Sequence, residues 1–127
     1  MTNRVEIDRV IRELHAARTR GDLPSMCRLF DHEVAVRIVG SSNNTPIAIH
    51  AVNLAELRPW LSMLVKAFRV SDYELISISI DVPRAAAHWR ARIHSKITGA
   101  ATSTELVDLF VFHDGKIVEY TEVFVPA

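Results

Sequence analysis

Residues 106–124 read LVDLFVFHDGKIVEYTEVF, and their pattern decides the fold. The Asp-Gly pair at 114–115 suits the two consecutive positive-φ positions of a tight hairpin turn. Residues alternate on both sides of it, so Asp108, Phe110 and Phe112 share one face of the incoming strand. That strand is expected over 104–112 and its return over 117–125. Upstream, 85–97 alternates as well, with Ala87, Trp89, Ala91 and Ile93 set against His88, Arg90, Arg92 and His94. Residues 74–80, ELISISI, alternate in the same way, and Asp81-Val-Pro-Arg84 reads as the turn between the two. Four antiparallel strands therefore close the chain.

The first half is helical. Over 5–19, Ile7, Val10, Ile11, Leu14 and Ala17 fall on one stripe, with Arg4, Glu6, Arg9, Arg12 and Glu13 on the other side. Gly21 stops this helix, and Asp22 caps a short second one with Pro24 in its first turn. A short β-type run covers 34–39, and 40–46, GSSNNTP, reads as a turn-rich loop. A third helix is expected over 54–68, capped by Asn53 with Glu56 three residues on. Pro59 lies too deep for its first turn, which predicts a kink or a later start. Helices first and hairpin strands last give an α+β order rather than βαβ.

Composition bounds the function. The chain has 127 residues, 49% of them hydrophobic and 24% charged. That suits one globular domain over 1–127. Net charge is zero, so no global basic field holds nucleic acid. No apolar run reaches the roughly 20 residues that span a bilayer. The charged opening MTNRVEIDRVIREL lacks the apolar core of a secretion signal. The single cysteine, Cys27, excludes an intramolecular disulfide and a CxxC site. The six histidines fall at no ligand spacing with supporting carboxylates, and His15 merely borders the first helix's apolar stripe. The expectation is a cytoplasmic protein with no metal, no cofactor, and neither nucleic-acid nor membrane partners.

Three stretches, GDLPSMCRLFDHEVAVRIVG, AVNLAELRPWLSMLVKAF and the C-terminal half from HWRARIHSKITG through LVDLFVFHDGKIVEYTEVF, resemble the SnoaL-like and ketosteroid isomerase-like family. The resemblance covers nearly the whole chain. It implies a cone-shaped α+β barrel, also called nuclear transport factor two-like, in which a curved antiparallel sheet wraps around N-terminal helices. Members include polyketide cyclases, isomerases, epoxide hydrolases and dehydratases, while others only bind or assemble, so fold is implied more firmly than activity.

The same resemblance sorts the site. Asp108 falls where ketosteroid isomerases carry an oxyanion-hole aspartic acid. A carboxyl on an apolar face is costly unless paired or neutralised, so the residue is either a pocket acid or a salt-bridged structural group. The positions of that enzyme's tyrosine and general base match Leu14 and Ile38, which argues against steroid isomerisation. Glu122 matches a catalytic aspartate of the epoxide hydrolases, but the arginine and second aspartate of their middle strand read Trp89 and Ala91 here. Asp108 and Glu122 remain as a candidate acid–base pair. The alternative for Glu122 is a neighbouring cation or solvent. Trp60, Trp89, Phe110 and Tyr120, with Leu14 and Ile38, are candidate lining for a small, mostly apolar ligand, or plain core. The expected function is cofactor-free isomerase, lyase or hydrolase chemistry on that ligand. The alternative is a non-catalytic ligand-binding or dimerisation module. The outer strip Arg90, Arg92 and Lys96, faced by glutamates, reads as a solvated or dimer-forming face, and the resemblance implies a homodimer through it.

Overall fold

The computed structural model describes residues 2–42 and 45–126. Helix α1 spans Arg4–Arg20. Its first turn is held by the Asn3 side chain, which accepts from the Glu6 N–H at 2.9 Å. Gly21 ends it at φ +69°, its N–H donating to the carbonyls of Ala17 and Arg18. Asp22 caps α2, Leu23–Cys27, as its sequence predicts. Helix α3, Leu54–Ala67, starts directly after its Asn53 cap. Pro59 does not delay that start; it sits on the exposed side of the helix.

Six strands follow or interleave with these helices: β1 Phe30–Ser42, β2 Thr45–Ala51, β3 Phe68–Asp81, β4 Arg84–Ser95, β5 Ala101–His113 and β6 Lys116–Pro126. They form one sheet in the order β2-β1-β6-β5-β4-β3. The last four are the antiparallel meander expected from the alternation. The hairpin between β5 and β6 turns on Asp114 at φ +48° and Gly115 at φ +75°.

The sheet is larger than the four closing strands and the short 34–39 run expected, and it is mixed, because β1 runs parallel to β6. Much of the stretch read as a loop is strand. Gly40, Ser41 and Ser42 extend β1, and Thr45 and Pro46 open β2, while Asn43 and Asn44 lie outside the described residues. Pro46 fits there because β2 is an edge strand, where a missing N–H is tolerated. Gly40 fits because a Cβ at that position would come within 2.5 Å of the Phe124 carbonyl oxygen on β6. Register shifts in β1, β3 and between β5 and β6 mark bulges that bend the sheet around the helices.

The main apolar core joins the α1 stripe, namely Ile7, Val10, Ile11, Leu14 and Ala17, to Leu57 and Leu61 of α3 and to Val36, Ile38, Phe110, Phe112, Ile117 and Tyr120 of the sheet. A second, smaller core holds Trp89, Ala91 and Leu106. Along the inner face of β5 the order is Leu106, Asp108, Phe110. A polar position therefore separates the two cores, and Glu122 stands directly opposite it on β6.

Candidate functional site

The site is built from adjacent register positions. Asp108 pairs with Ala87 of β4 on one side and with Glu122 of β6 on the other. Glu122 in turn lies beside Ile38 of β1, and Tyr120 beside Val36. Opposite this row, α1 presents His15 and Arg18. They continue the inward stripe at spacings of four from Ile11 and Leu14, so helical geometry carries two polar side chains into the interior.

Asp108 is wholly buried, and Glu122 retains 2% exposure. The Asp108 Oδ2 atom accepts from the Trp89 indole N–H at 3.0 Å and lies 2.8 Å from His15 Nε2. An indole N–H can only donate, so Oδ2 is an acceptor, which favours a hydrogen on His15 Nε2. The other ring nitrogen, Nδ1, lies 2.7 Å from the Tyr73 hydroxyl. Asp108 Oδ1 is buried with no hydrogen-bond partner among the described residues. Such an oxygen is costly in a closed interior.

Glu122 is held differently. Its Oε1 atom accepts from Arg18 Nη1 and, at 3.3 Å, from the Tyr120 hydroxyl. The Arg18 guanidinium also stacks 5.2 Å from the Trp89 ring centroid, and the His15 ring lies 4.7 Å from that ring. Burial raises the affinity of Glu122 for a proton; Arg18 opposes the shift and Asp108 reinforces it. Burial pushes the Tyr120 phenol up, as do Asp108 and Glu122, so it stays a donor. For Arg18, burial works against the charge, but Glu122, Tyr120 and Asp108 outweigh it and the guanidinium stays protonated. Two carboxyl groups thus face one permanent cation, and electroneutrality calls for one further proton in the cluster.

The structure brings together Asp108, Glu122, Trp89, Tyr120, Phe110, Leu14 and Ile38. Leu14 and Ile38 are apolar core, and Phe110 stacks on Tyr120 at 5.3 Å. Trp60 stands apart: it is 38% exposed on α3 and belongs to neither core. Three members of the cluster escaped the sequence reading. His15 and Arg18 could have been found from their place in the α1 stripe. Tyr73 lies at a bulge in β3, which no periodicity reveals. On the outer face, Glu74 meets the basic strip through Arg90, and Glu105 pairs with the neighbouring His88. Among the described residues no three His, Cys, Asp or Glu side chains gather to hold a metal ion. No helix is long and apolar enough to cross a membrane.

Two concavities open on the outer face of the sheet and contain neither carboxyl. One, of about 480 Å³, lies over Arg84, Ala86, Leu109, Val111 and Thr121. The other, of about 310 Å³, lies over Glu74, Arg90, Arg92, Ser103 and Glu105.

Arg18→Met would leave Glu122 buried without its cation. Loss of one partner of a buried pair costs about 3–5 kcal/mol, so urea unfolding of this variant should show a drop of that order. Adding Glu122→Gln should restore part of it.

With this geometry in view, the relatives are informative. A family model described as a SnoaL-like domain matches residues 11–120. No curated protein matches the sequence. Solved structures do match the fold. A candidate isomerase from Bacillus subtilis superposes with a TM-score of 0.83 at 17% identity, covering 98% of this chain and 89% of that one. A nuclear transport factor two-like protein from Burkholderia xenovorans gives 0.77 at 16% identity, over 98% and 92%. A protein of ketosteroid isomerase-like fold from Catenulispora acidiphila, solved with trimethylamine, gives 0.71 at 10% identity, over 89% and 82%. At these identities the structural likeness shows the fold alone, whereas the family model spans most of the chain. The chain belongs to the SnoaL-like domain family.

Proposed function

We propose that the protein is a cofactor-free acid–base catalyst for a small, mostly apolar organic molecule, in an isomerase, lyase or hydrolase reaction. Asp108 and Glu122 are its proton-holding groups. The observation that carries this reading is a wholly buried Asp108 whose Oδ1 has no hydrogen-bond partner among the described residues, set directly across from a second buried carboxyl. The two differ in surroundings. Glu122 faces a guanidinium and a phenol, whereas Asp108 faces an indole and an imidazole and has one oxygen without a partner among the described residues. Two carboxyls in unlike surroundings are the arrangement that separates an acid from a base. The Catenulispora relative, solved with trimethylamine, supports a small-molecule ligand. Steroid isomerisation is not proposed, because Leu14 and Ile38 are apolar core where its tyrosine and base would stand.

A second reading, a non-catalytic binding or dimerisation module, is favoured by one observation: both carboxyls are sealed from solvent. The working surface would then be the outer sheet face, where Leu109 and Val125 are 45% and 57% exposed.

The readings separate by experiment. The protein should be incubated with a panel of small cyclic ketones, hydroxyketones and epoxides, following substrate loss by mass spectrometry. Any turnover found should fall by about a hundredfold or more in Asp108→Asn and in Glu122→Gln, the range general acid–base groups supply. Full rates in both variants would remove the carboxylate mechanism. For a dimerisation module, light scattering should give a dimer that Leu109→Lys dissociates, and a monomeric wild type would exclude the dimerisation form of this reading.

A further inference from the structure

Whole-chain neutrality hides a split. Residues 60–71, WLSMLVKAFRVS, and 93–104, IHSKITGAATST, hold three cations, Lys66, Arg69 and Lys96, and no Asp or Glu. The remainder of the chain is therefore net negative. The fold joins the two stretches at one end of the sheet. Phe68 and Arg69, which open β3, pair with Ser95 and His94, which close β4. The Lys96 N–H donates to the Ala67 carbonyl at 2.8 Å, and its Nζ to the Val65 carbonyl at 3.1 Å. The turn between β4 and β5 is thereby tied to the last turn of α3.

The same end displays apolar side chains that belong to neither core. Ile97, at the tip of the turn, is 82% exposed, and Trp60, Met63 and Phe68 are between 37% and 39% exposed. Trp60, Met63 and Ala67 recur at spacings of three and four, so they run along one side of α3 toward the turn. The tip is held in shape. The Ser95 hydroxyl accepts from the Ile97 and Thr98 N–H groups at 3.3 and 3.1 Å, and the Gly99 N–H donates to the Ser95 carbonyl at 2.9 Å. A Cβ added at Gly99 would meet nothing within 4 Å, so the tip projects into open space.

Peptide ligands bind in grooves or along strand edges. Ile97 stands on a turn, and neither concavity of the outer sheet face includes any of these residues. A protruding apolar tip flanked by cations fits a lipid surface instead. Its apolar side chains enter the boundary between headgroups and acyl chains, while Lys and Arg meet the anionic headgroups. Tryptophan favours that boundary, because its ring is apolar and its N–H can stay wet.

We propose that this end of the molecule is a docking surface for an anionic lipid bilayer, entered by Ile97 and Trp60 and held electrostatically by Lys66, Arg69 and Lys96. Docking here is independent of the acid–base reading. The expectation of no membrane partner followed from the net charge and the lack of a spanning run, and neither property bears on surface contact at one end.

The protein should be sedimented with vesicles of phosphatidylcholine, with and without a third of the lipid as phosphatidylglycerol. Binding is expected only with phosphatidylglycerol and should fall as salt is raised. Lys96→Gln should weaken it by about fivefold, and Ile97→Ser by about tenfold. Arg84→Gln, an equal loss of charge at the opposite end of β4, should leave it unchanged. Trp89 is wholly buried, so quenching by brominated lipid reports Trp60 and should vanish in Trp60→Phe. No binding to either vesicle, or binding that Arg84→Gln weakens as much as Lys96→Gln does, would overturn the docking surface. So would full binding by Ile97→Ser, or bound protein whose fluorescence brominated lipid leaves untouched. Tighter binding to duplex DNA than to the anionic vesicles would make this end a nucleic-acid site and overturn the lipid assignment.

Discussion

A carboxyl group with no access to water must find its hydrogen bonds inside the protein or lose its charge. Asp108 is such a group, and the surrounding elements are arranged about it. The indole of Trp89 and the imidazole of His15 both converge on its Oδ2. The first fixes the face that β4 turns inward. The second fixes the rotation of α1 about its own axis. With His15 inward, Arg18 one turn later faces the same interior and meets Glu122, the cross-strand partner of Asp108. One buried carboxyl on a central strand thus sets the relation of helix to sheet, and the polar cluster divides the apolar interior into two cores.

Much of the fold was legible because its signals are local. Alternation over 85–97 and 104–125, the Asp-Gly turn, and the caps at Asn53 and Asp22 act within a few residues of one another. The strand missed, β2, and the added length of β1 beyond the expected 34–39 run have distant reasons. β2 exists because it pairs with β1, and β1 lies against β6 nearly 90 residues away in sequence. The glycine at 40 looked like a turn signal. Its role is close approach to Phe124, which only the register of a non-local parallel pair reveals.

The site was legible by half. Strand parity grouped Asp108 with Phe110 on one face and set Trp89 apart from the charged side of its strand, since a period of two is strict within a regular strand, while the family resemblance implied that Tyr120 and Glu122 face the pocket. The partners on α1 were hidden by their type. From the sequence His15 only borders the apolar stripe and Arg18 is not singled out, although spacings of four from Ile11 and Leu14 put both on the buried side. Tyr73 was hidden by the bulge at Asp72, which breaks the parity that worked elsewhere. Trp60 is a candidate for lining or core by its type alone, but α3 packs through Leu54, Leu57 and Leu61, and Trp60 is 38% exposed.

The account rests on Asp108 and Glu122 forming one coupled site rather than two separate buried acids. A double-mutant cycle on unfolding free energy, with Asp108→Asn, Glu122→Gln and the combined variant, measures that coupling directly. Groups in one hydrogen-bonded and electrostatic network couple by about 0.5–3 kcal/mol, whereas independent ones add to within about 0.5 kcal/mol. The account predicts a coupling of at least about 1 kcal/mol, inside that range and above the additive limit. Additive effects would contradict it, and would mean that the two carboxyls are buried side by side without acting as a pair.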